Sequence, residues 1–205
     1  MDEIGLFPLG IVLLPTEQIP LHIFEDRYKE LIAECLEQDE EFGLVLADDD
    51  GIRAVGTRAA VIEVTEEFED GRLNIVIEGR DRFRLRELTE GRTFHTGDVE
   101  QIEDADDPAE QADIDEALRL YALLLELTGT EIDTPETDHP QLSFAIAARF
   151  ELAPELKQGL LQLNSERERM KRICEILSRA AQTVERQREI AALAQRNGRA
   201  HPPGE

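Results

Sequence analysis

The chain is short of positive charge, of cysteine and of long apolar runs. Only 22 Lys and Arg stand against 46 Asp and Glu in 205 residues, a formal net charge of −24. So acidic a chain repels phosphate and anionic lipid, which argues against non-specific binding of nucleic acid or membrane. No apolar run approaches the roughly 20 residues of a membrane span. Met1–Gly5 holds two acids and no basic residue, so no secretory leader is expected and a cytoplasmic protein is. Cys35 and Cys174 each sit in an apolar helical stripe. They are expected as buried reduced thiols, because a disulfide, a zinc site or a nucleophile would need partners that the sequence does not place nearby. His22, His95, His139 and His201 have no ligand spacing, and Asp48–Asp50 before Gly51 lacks the later Glu of a calcium loop. No metal and no cofactor are expected.

What is present is enough apolar residue, 41%, for a real core. The stretch Leu6–Leu36 organises the rest. Two short apolar runs, Leu6–Leu9 and Ile11–Leu14, are punctuated by Pro8, Gly10, Pro15 and Pro20. Proline has no N–H for a central ladder, so these predict short, interrupted or edge strands. Tyr28, Leu31, Ile32, Cys35 and Leu36 then fall at helical spacing. Phe42–Ala47 and Val55–Val64 read as strands. Asp70-Gly71 signals a hairpin, and Leu73, Ile75 and Ile77 alternate with polar neighbours. Beyond Gly79, which permits a bend or bulge, a further strand should turn Phe83 and Leu85 inward and Arg82, Arg84 and Arg86 outward. Thr93–Ile102 is a weaker strand.

From residue 114 onward the pattern is helical. Asp113-x-x-Glu116 and Ser165-x-x-Glu168 read as capping boxes. The last helix carries Met170, Ile173, Cys174, Leu177, Ala181 and Val184 at spacings of three and four. It could form a coiled coil between two copies, making a homodimer, or brace the bundle of one chain. The expected organisation is a β-rich unit over 1–103, an acidic linker over 104–113, a helical bundle over 114–198 and a disordered tail over 199–205.

Several blocks resemble a known family. LFPLGIVLLP followed by PLHIFEDRYKELI resembles the opening of the Lon protease N-terminal, substrate-binding domain. FGLVL, VGTRAAVIEV and DGRLNIVIEGRDRFRL resemble successive blocks of its β-part. LSFAIAARFELAPELKQGLLQLNSERERMKRICEIL resembles its helical part, with Lys157, Gln158, Leu160 and Leu161 at a KQxLL-like core. The resemblance runs from Leu6 to about Arg186. It implies an α+β fold, a PUA-like β pseudo-barrel with one helix followed by a helical bundle with a long last helix. It also implies binding of unfolded or tagged polypeptides. Full Lon proteases continue into an ATPase and a peptidase. These 205 residues hold no G-x-x-x-x-G-K-[ST] phosphate loop, and nothing in the spacing of Ser143, Ser165 or Ser178 with Lys29, Lys157 or Lys171 argues for a Ser–Lys dyad. The chain looks like a stand-alone, non-enzymatic substrate-binding module, and the role expected of it is to hold hydrophobic or unfolded segments, as an adaptor to a protease or chaperone.

Phe7, Leu9, Leu14, Ile19, Leu21, Phe42 and Phe68 are candidate polypeptide contacts, since they lie beside prolines or in turn-flanked segments. Pro20, Phe24, Glu25, Arg27, Tyr28, Gly79, Arg82 and Phe83 lie in the matching blocks and are expected to be structural. PUA-like folds include RNA binders, so Arg82, Arg84 and Arg86 offer an alternative, an RNA-binding face. Cross-strand pairing with Glu63, Glu78 or Glu100 competes with it, and the net charge opposes it.

Overall fold

The structure, a computed structural model, describes residues 2–198, with the backbone alone for 195–198. The expected tail over 199–205 lies outside the described residues. Six strands come first: β1 (Asp2–Leu9), β2 (Gln18–Ile23), β3 (Phe42–Asp48), β4 (Gly51–Glu67), β5 (Leu73–Thr89) and β6 (His95–Gln101). Helix α1 (Asp26–Gln38) lies between β2 and β3. Four helices follow: α2 (Gln111–Thr128), α3 (Leu142–Ala147), α4 (Pro154–Leu161) and α5 (Glu166–Gly198). This is the mixed α+β order that the sequence implied.

The strands run in the order β2-β5-β4-β3-β1-β6, and β6 also pairs with β5. Five strands therefore close into a ring, with β2 added along the first half of β5. Only β1 and β3 are parallel. Ile4, Leu6, Val45, Phe83 and Val99 fill the ring's interior. Pro8 sits in the half of β1 that pairs with β3 alone, beyond the reach of β6, so its missing N–H breaks no ladder.

β4 and β5 are 17-residue strands joined at the Asp70-Gly71 turn, where Gly71 has φ +79° and donates its N–H to Phe68 O. β5 is continuous through Gly79 rather than two strands. A Cβ at Gly79 would lie 2.1 Å from Leu14 O, and the Leu14–Glu17 corner bonds to Gly79 through Thr16 N–H and Glu17 O. Ile11–Leu14 is accordingly a corner, not a strand, with Val12, Leu13 and Leu14 buried and Ile11 exposed. Leu13 O accepts the Thr57 hydroxyl and Leu14 N–H donates to Glu17 Oε2.

The acidic segment after β6 is tied to the helices. Ala105 N–H donates to Asn164 O and the Ser165 hydroxyl to Asp107 Oδ2. Helix α2 begins at Gln111, with Glu110 at its N-cap and no side-chain cap, so Asp113 lies within its first turn and forms no capping box. Ser165 does cap α5, accepting Glu168 N–H at 3.1 Å. One apolar cluster spans both halves: Val12, Leu14, Leu46 and Val55 pack with Tyr121, Phe144, Leu160, Met170 and Leu177.

Arg82 departs furthest from expectation. It is 2% exposed, not outward in solvent, because the outer face of β5 is itself covered by the helices. Its guanidinium bonds Leu161 O at 2.5 Å and Leu163 O at 2.8 Å and pairs with Asp104. Asp104 also receives both terminal nitrogens of the fully buried Arg169, which binds Glu166 in turn. Glu166 accepts the backbone N–H and hydroxyl of Ser143. The Phe144 ring lies 4.5 Å from the Arg169 guanidinium and 5.5 Å from that of Arg82. A second buried link joins Lys157 to Glu17, and Gln158 Nε2 donates to Val55 O at 3.0 Å.

Burial pushes the Asp104 carboxyl up, but hydrogen bonds and charge from Arg169 and Arg82 outweigh it and hold it below the usual carboxylate range. Replacing Asp104 by Ala leaves two guanidiniums without their shared counter-ion and should cost about 3–5 kcal/mol in urea unfolding. A carboxyl depressed in the folded state stabilises above its unfolded pKa and loses that contribution as pH falls through the folded value. The stability gap between the wild type and Asp104→Asn should therefore be full at neutral pH and shrink only below the ordinary aspartate range.

Candidate polypeptide-binding surface

Three strands extend beyond the closed ring: β2, the first half of β5 and the last part of β4. Their register puts Ile19, Ile77 and Val61 in one row of a shared face and Leu21, Ile75 and Val64 in the next. Ile75 and Ile77 are buried beneath α1 in a cluster with Tyr28, Leu31, Ile32 and Phe42. Towards the tip the cover thins. Ile19, Leu21 and Val61 are half-buried, and Val64 is 40% exposed. Ile62, in the irregular stretch between Val61 and Glu63, is 42% exposed.

An aromatic group stands at the same end. Phe24 leaves the end of β2 and is 60% exposed, more than any other aromatic residue among the exposed large apolar side chains. Its ring stacks on His22 at 5.9 Å, and Phe68, from the β4–β5 turn, meets His22 edge-on at 6.0 Å. His22 is held from behind by Asn74, which donates to Glu66. The Arg72 guanidinium lies 4.9 Å from the Phe68 ring. Glu25, Asp26, Glu66, Glu67, Glu69 and Asp70 surround this group in sequence and make the tip acidic.

The free edge of β2 is closed to strand addition. Gly79 N–H donates to Glu17 O, so the alternation along β2 turns Ile19, Leu21 and Ile23 toward β5 and Pro20 toward the open side. Proline there offers no donor to an incoming strand.

The candidate contacts fall into two groups. Ile19 and Leu21 lie half-buried on the face that α1 covers, whereas Phe68 meets His22, which alternation along β2 turns to the opposite face of the same tip. Phe7, Leu14 and Phe42 are 5%, 0% and 0% exposed and offer a ligand no surface. Phe7 stacks on Tyr28 at 4.0 Å and Leu14 faces the helices, while Leu9 is half-buried on the α1 cluster. Proline-flanked runs read as accessible because proline breaks ladders, yet here the corner folds inward. Phe24, grouped with the structural residues, is the exposed aromatic that the sequence reading missed. Its only signal was position: it follows buried Ile23 and precedes the helix that buries Tyr28. Glu25 and Arg27 pair at 2.7 Å, with Arg27 over the Tyr28 ring at 4.6 Å. The arginine face dissolves, since Arg82 is buried and Arg86 pairs with Glu100. Ser143, Ser165 and Lys157 are all bonded within the framework described above.

The architecture defines a class: a mixed α+β domain of a strand ring buttressed by helices. A family model described as the ATP-dependent protease La (LON) substrate-binding domain matches residues 3–179, and the chain belongs to that family. It is 24% identical over 196 residues to Lon protease 1 of Hydrogenovibrio crunogenus, matching 88% of this chain and 24% of that one. With the Lon protease of Anaeromyxobacter dehalogenans the identity is 26%, over 87% of this chain and 23% of the relative. The chain thus spans about a quarter of the length of these relatives. The crystal structure of a Lon N-terminal domain protein from Xanthomonas campestris superposes with a TM-score of 0.69 at 27% identity, covering 84% of this chain and 97% of that one. The N-terminal domain of a Mycobacterium avium complex Lon protease shares the fold, with a TM-score of 0.64 at 16% identity and 86% and 98% covered.

Stability should separate the two groups of aromatics. Phe42→Ala should cost about 3–5 kcal/mol through the cavity it leaves, and Phe24→Ala should stay within about 0.5 kcal/mol of wild type. Denaturant unfolding of both variants reads the difference. Burial pushes the Cys35 thiol up to about 11, so it should resist a thiol-specific reagent at mildly alkaline pH in the folded protein and react once urea unfolds the chain.

Proposed function

We propose that this chain binds unfolded polypeptide segments at the tip of the β4–β5 hairpin, where Phe24 and Phe68 stand on one side and Ile19, Leu21 and Val64 on the other. The observation that carries the reading is Phe24, an aromatic side chain left 60% exposed on a rigid strand end beside a face that continues the core without full cover. A bound apolar side chain would extend that core, and each buried methylene contributes about 0.8 kcal/mol. Pro20 on the free edge makes the recognition one of side chains rather than of strand addition. The acidic rim favours segments in which apolar residues stand next to Lys or Arg. The module has no catalytic step of its own in this reading. It acts as an adaptor, presenting the captured segment to a protease or chaperone in trans, in the cytoplasm, where two unpaired cysteines are at home.

The test is an anisotropy titration against a labelled, permanently unfolded polypeptide without nucleotide, with a gel of the same samples. Saturable binding of an intact polypeptide is expected. Phe24→Asp should weaken it about tenfold or more, equivalent to ~1.4 kcal/mol, with a melting temperature near wild type. Absence of binding across the micromolar range, or affinity indifferent to Phe24→Asp, removes the proposal.

A further inference from the structure

Pro20 closes one edge of the three-strand extension, and the opposite edge is open. β3 pairs with β4 only as far as Phe42 and Ala59, whereas β4 runs on with β5 to Glu67. No strand among the described residues pairs with the outer side of Ala60–Glu67, about 26 Å of backbone. The alternation of hydrogen bonds decides which groups face outward. Gly79 turns its N–H and C=O to the Leu14–Glu17 corner, and Phe68 donates its N–H to Arg72 O. Between these two fixed points, the pairs Val61–Ile77, Val64–Ile75 and Glu67–Leu73 are the ones that exchange no bond across β4 and β5. The backbone N–H and C=O of Val61, Val64 and Glu67 therefore face the open side. The other edge carries Pro20 in that role, and this one carries no proline.

The edge borders a cleft. Ahead of β3, Glu40 N–H turns back to Cys35 O. Between the last turn of α1 and β4 this leaves a cleft of about 380 Å³, lined by Leu36, Asp39, Glu40, Glu41, Ala60 and Val61. Arg80 also borders it and pairs with Glu78. Leu36 in the cleft and Ile62 and Val64 on the strand are exposed. Register turns Val61 and Val64 to the α1 face, and Glu63 and Glu66 to the other. Ala60–Glu67 holds three glutamates and no cation. Charged side chains commonly guard an open edge, but glutamate repels only an acidic strand and attracts a basic one. In a chain of net charge −24 it turns away copies of the chain itself. The register shifts after Val61 and after Val64 coil the edge, so a strand laid along it must be short and pliant.

We propose that a partner protein docks here by adding a short strand to the open edge of β4, a strand in which apolar residues alternate with Lys or Arg. Its backbone bonds Val61, Val64 and Glu67. Its apolar side chains continue the row of Val61 and Val64 into the cleft beside Leu36, and its cations lie against Glu63 and Glu66 on the other face. Main-chain bonds give such a complex its affinity, and the alternating sides give it specificity. The docking does not depend on the polypeptide-binding reading. If both hold, the partner sits on this edge while Phe24 holds the captured chain.

The probe is a capped peptide of alternating Val and Lys, long enough to span Ala60–Glu67, with a peptide of alternating Val and Glu as control. Titration into the Phe24→Asp chain, followed by nuclear magnetic resonance, keeps capture at the tip out of the result. The Val–Lys peptide should bind saturably and more weakly as salt rises, and the amide exchange of Val61, Val64 and Glu67 should slow at least tenfold in the complex. Val64→Pro removes one outward N–H without removing a bond between β4 and β5, and should weaken binding at least tenfold. Glu63→Lys combined with Glu66→Lys, both at exposed positions, should give the same loss and serves where the proline variant does not fold. No binding to the Phe24→Asp chain, binding that leaves these three amides unprotected, or equal affinity for the Val–Glu peptide overturns the proposal.

Discussion

Asp104 is the counter-ion on which the two halves of the molecule meet. It lies between Arg82, projecting from the outer face of the strand ring, and Arg169, projecting from the long helix. Neither guanidinium reaches water, and the backbone carbonyls of Leu161 and Leu163, the Ser143 hydroxyl and the carboxylate of Glu166 take up the remaining N–H groups except Arg82 Nε, which is buried without a partner. Such a cluster is a poor source of net stability but a strict specifier of geometry, because any other docking of the helices would bury unpaired charge. The Lys157–Glu17 pair and the Gln158 bond to Val55 O act in the same way at the other corner. The KQxLL-like core is therefore a joint: its two polar residues grip the ring, and Leu160 and Leu161 fill the shared apolar cluster.

That joint fixes one side of the strand ring and leaves the other to function. Helices cover the outer face near Arg82, and α1 covers the face lined by Ile75 and Ile77. What neither covers is the tip where β2 ends and the long β4–β5 hairpin turns. There the apolar rows fade from buried to exposed over two register steps, and Phe24, His22 and Phe68 form a compact aromatic group. A rigid apolar surface bordered by acids and with a proline on its free edge suits capture of side chains from an extended chain. It also protects the domain from pairing edge to edge with its own copies.

Much of the fold was legible in the sequence because it rests on local rules. Asp70-Gly71 set the hairpin, Ser165 capped the last helix, and the period of Tyr28 to Leu36 marked α1. The long irregular block around PLHIFEDRY carried the family. Legibility failed wherever a residue's surroundings come from far along the chain. Alternation along β5 assigned Arg82 to the outside correctly, but outside is where α4 and α5 pack. Proline punctuation marked Ile11–Leu14 as a short, interrupted or edge strand and could not say that Gly79 would let it fold inward as a corner. For the candidate site, Ile19, Leu21 and Phe68 were within reach of sequence reasoning, while Phe7, Leu14 and Phe42 were drawn in by the same rule and turned out to be core.

The sequence by itself determined the element types, the turn positions, the acidic character and the family, since each depends on neighbours within a few residues or on composition. Only the tertiary structure decided which apolar side chains remain open. Burial depends on what a second element sets against a strand face, and that element can lie far along the chain, as with Arg82 and the Leu161 carbonyl it bonds. That is why Phe24 is exposed and Phe42 is not, and why an arginine that looked like a surface cation is the keystone of the interior.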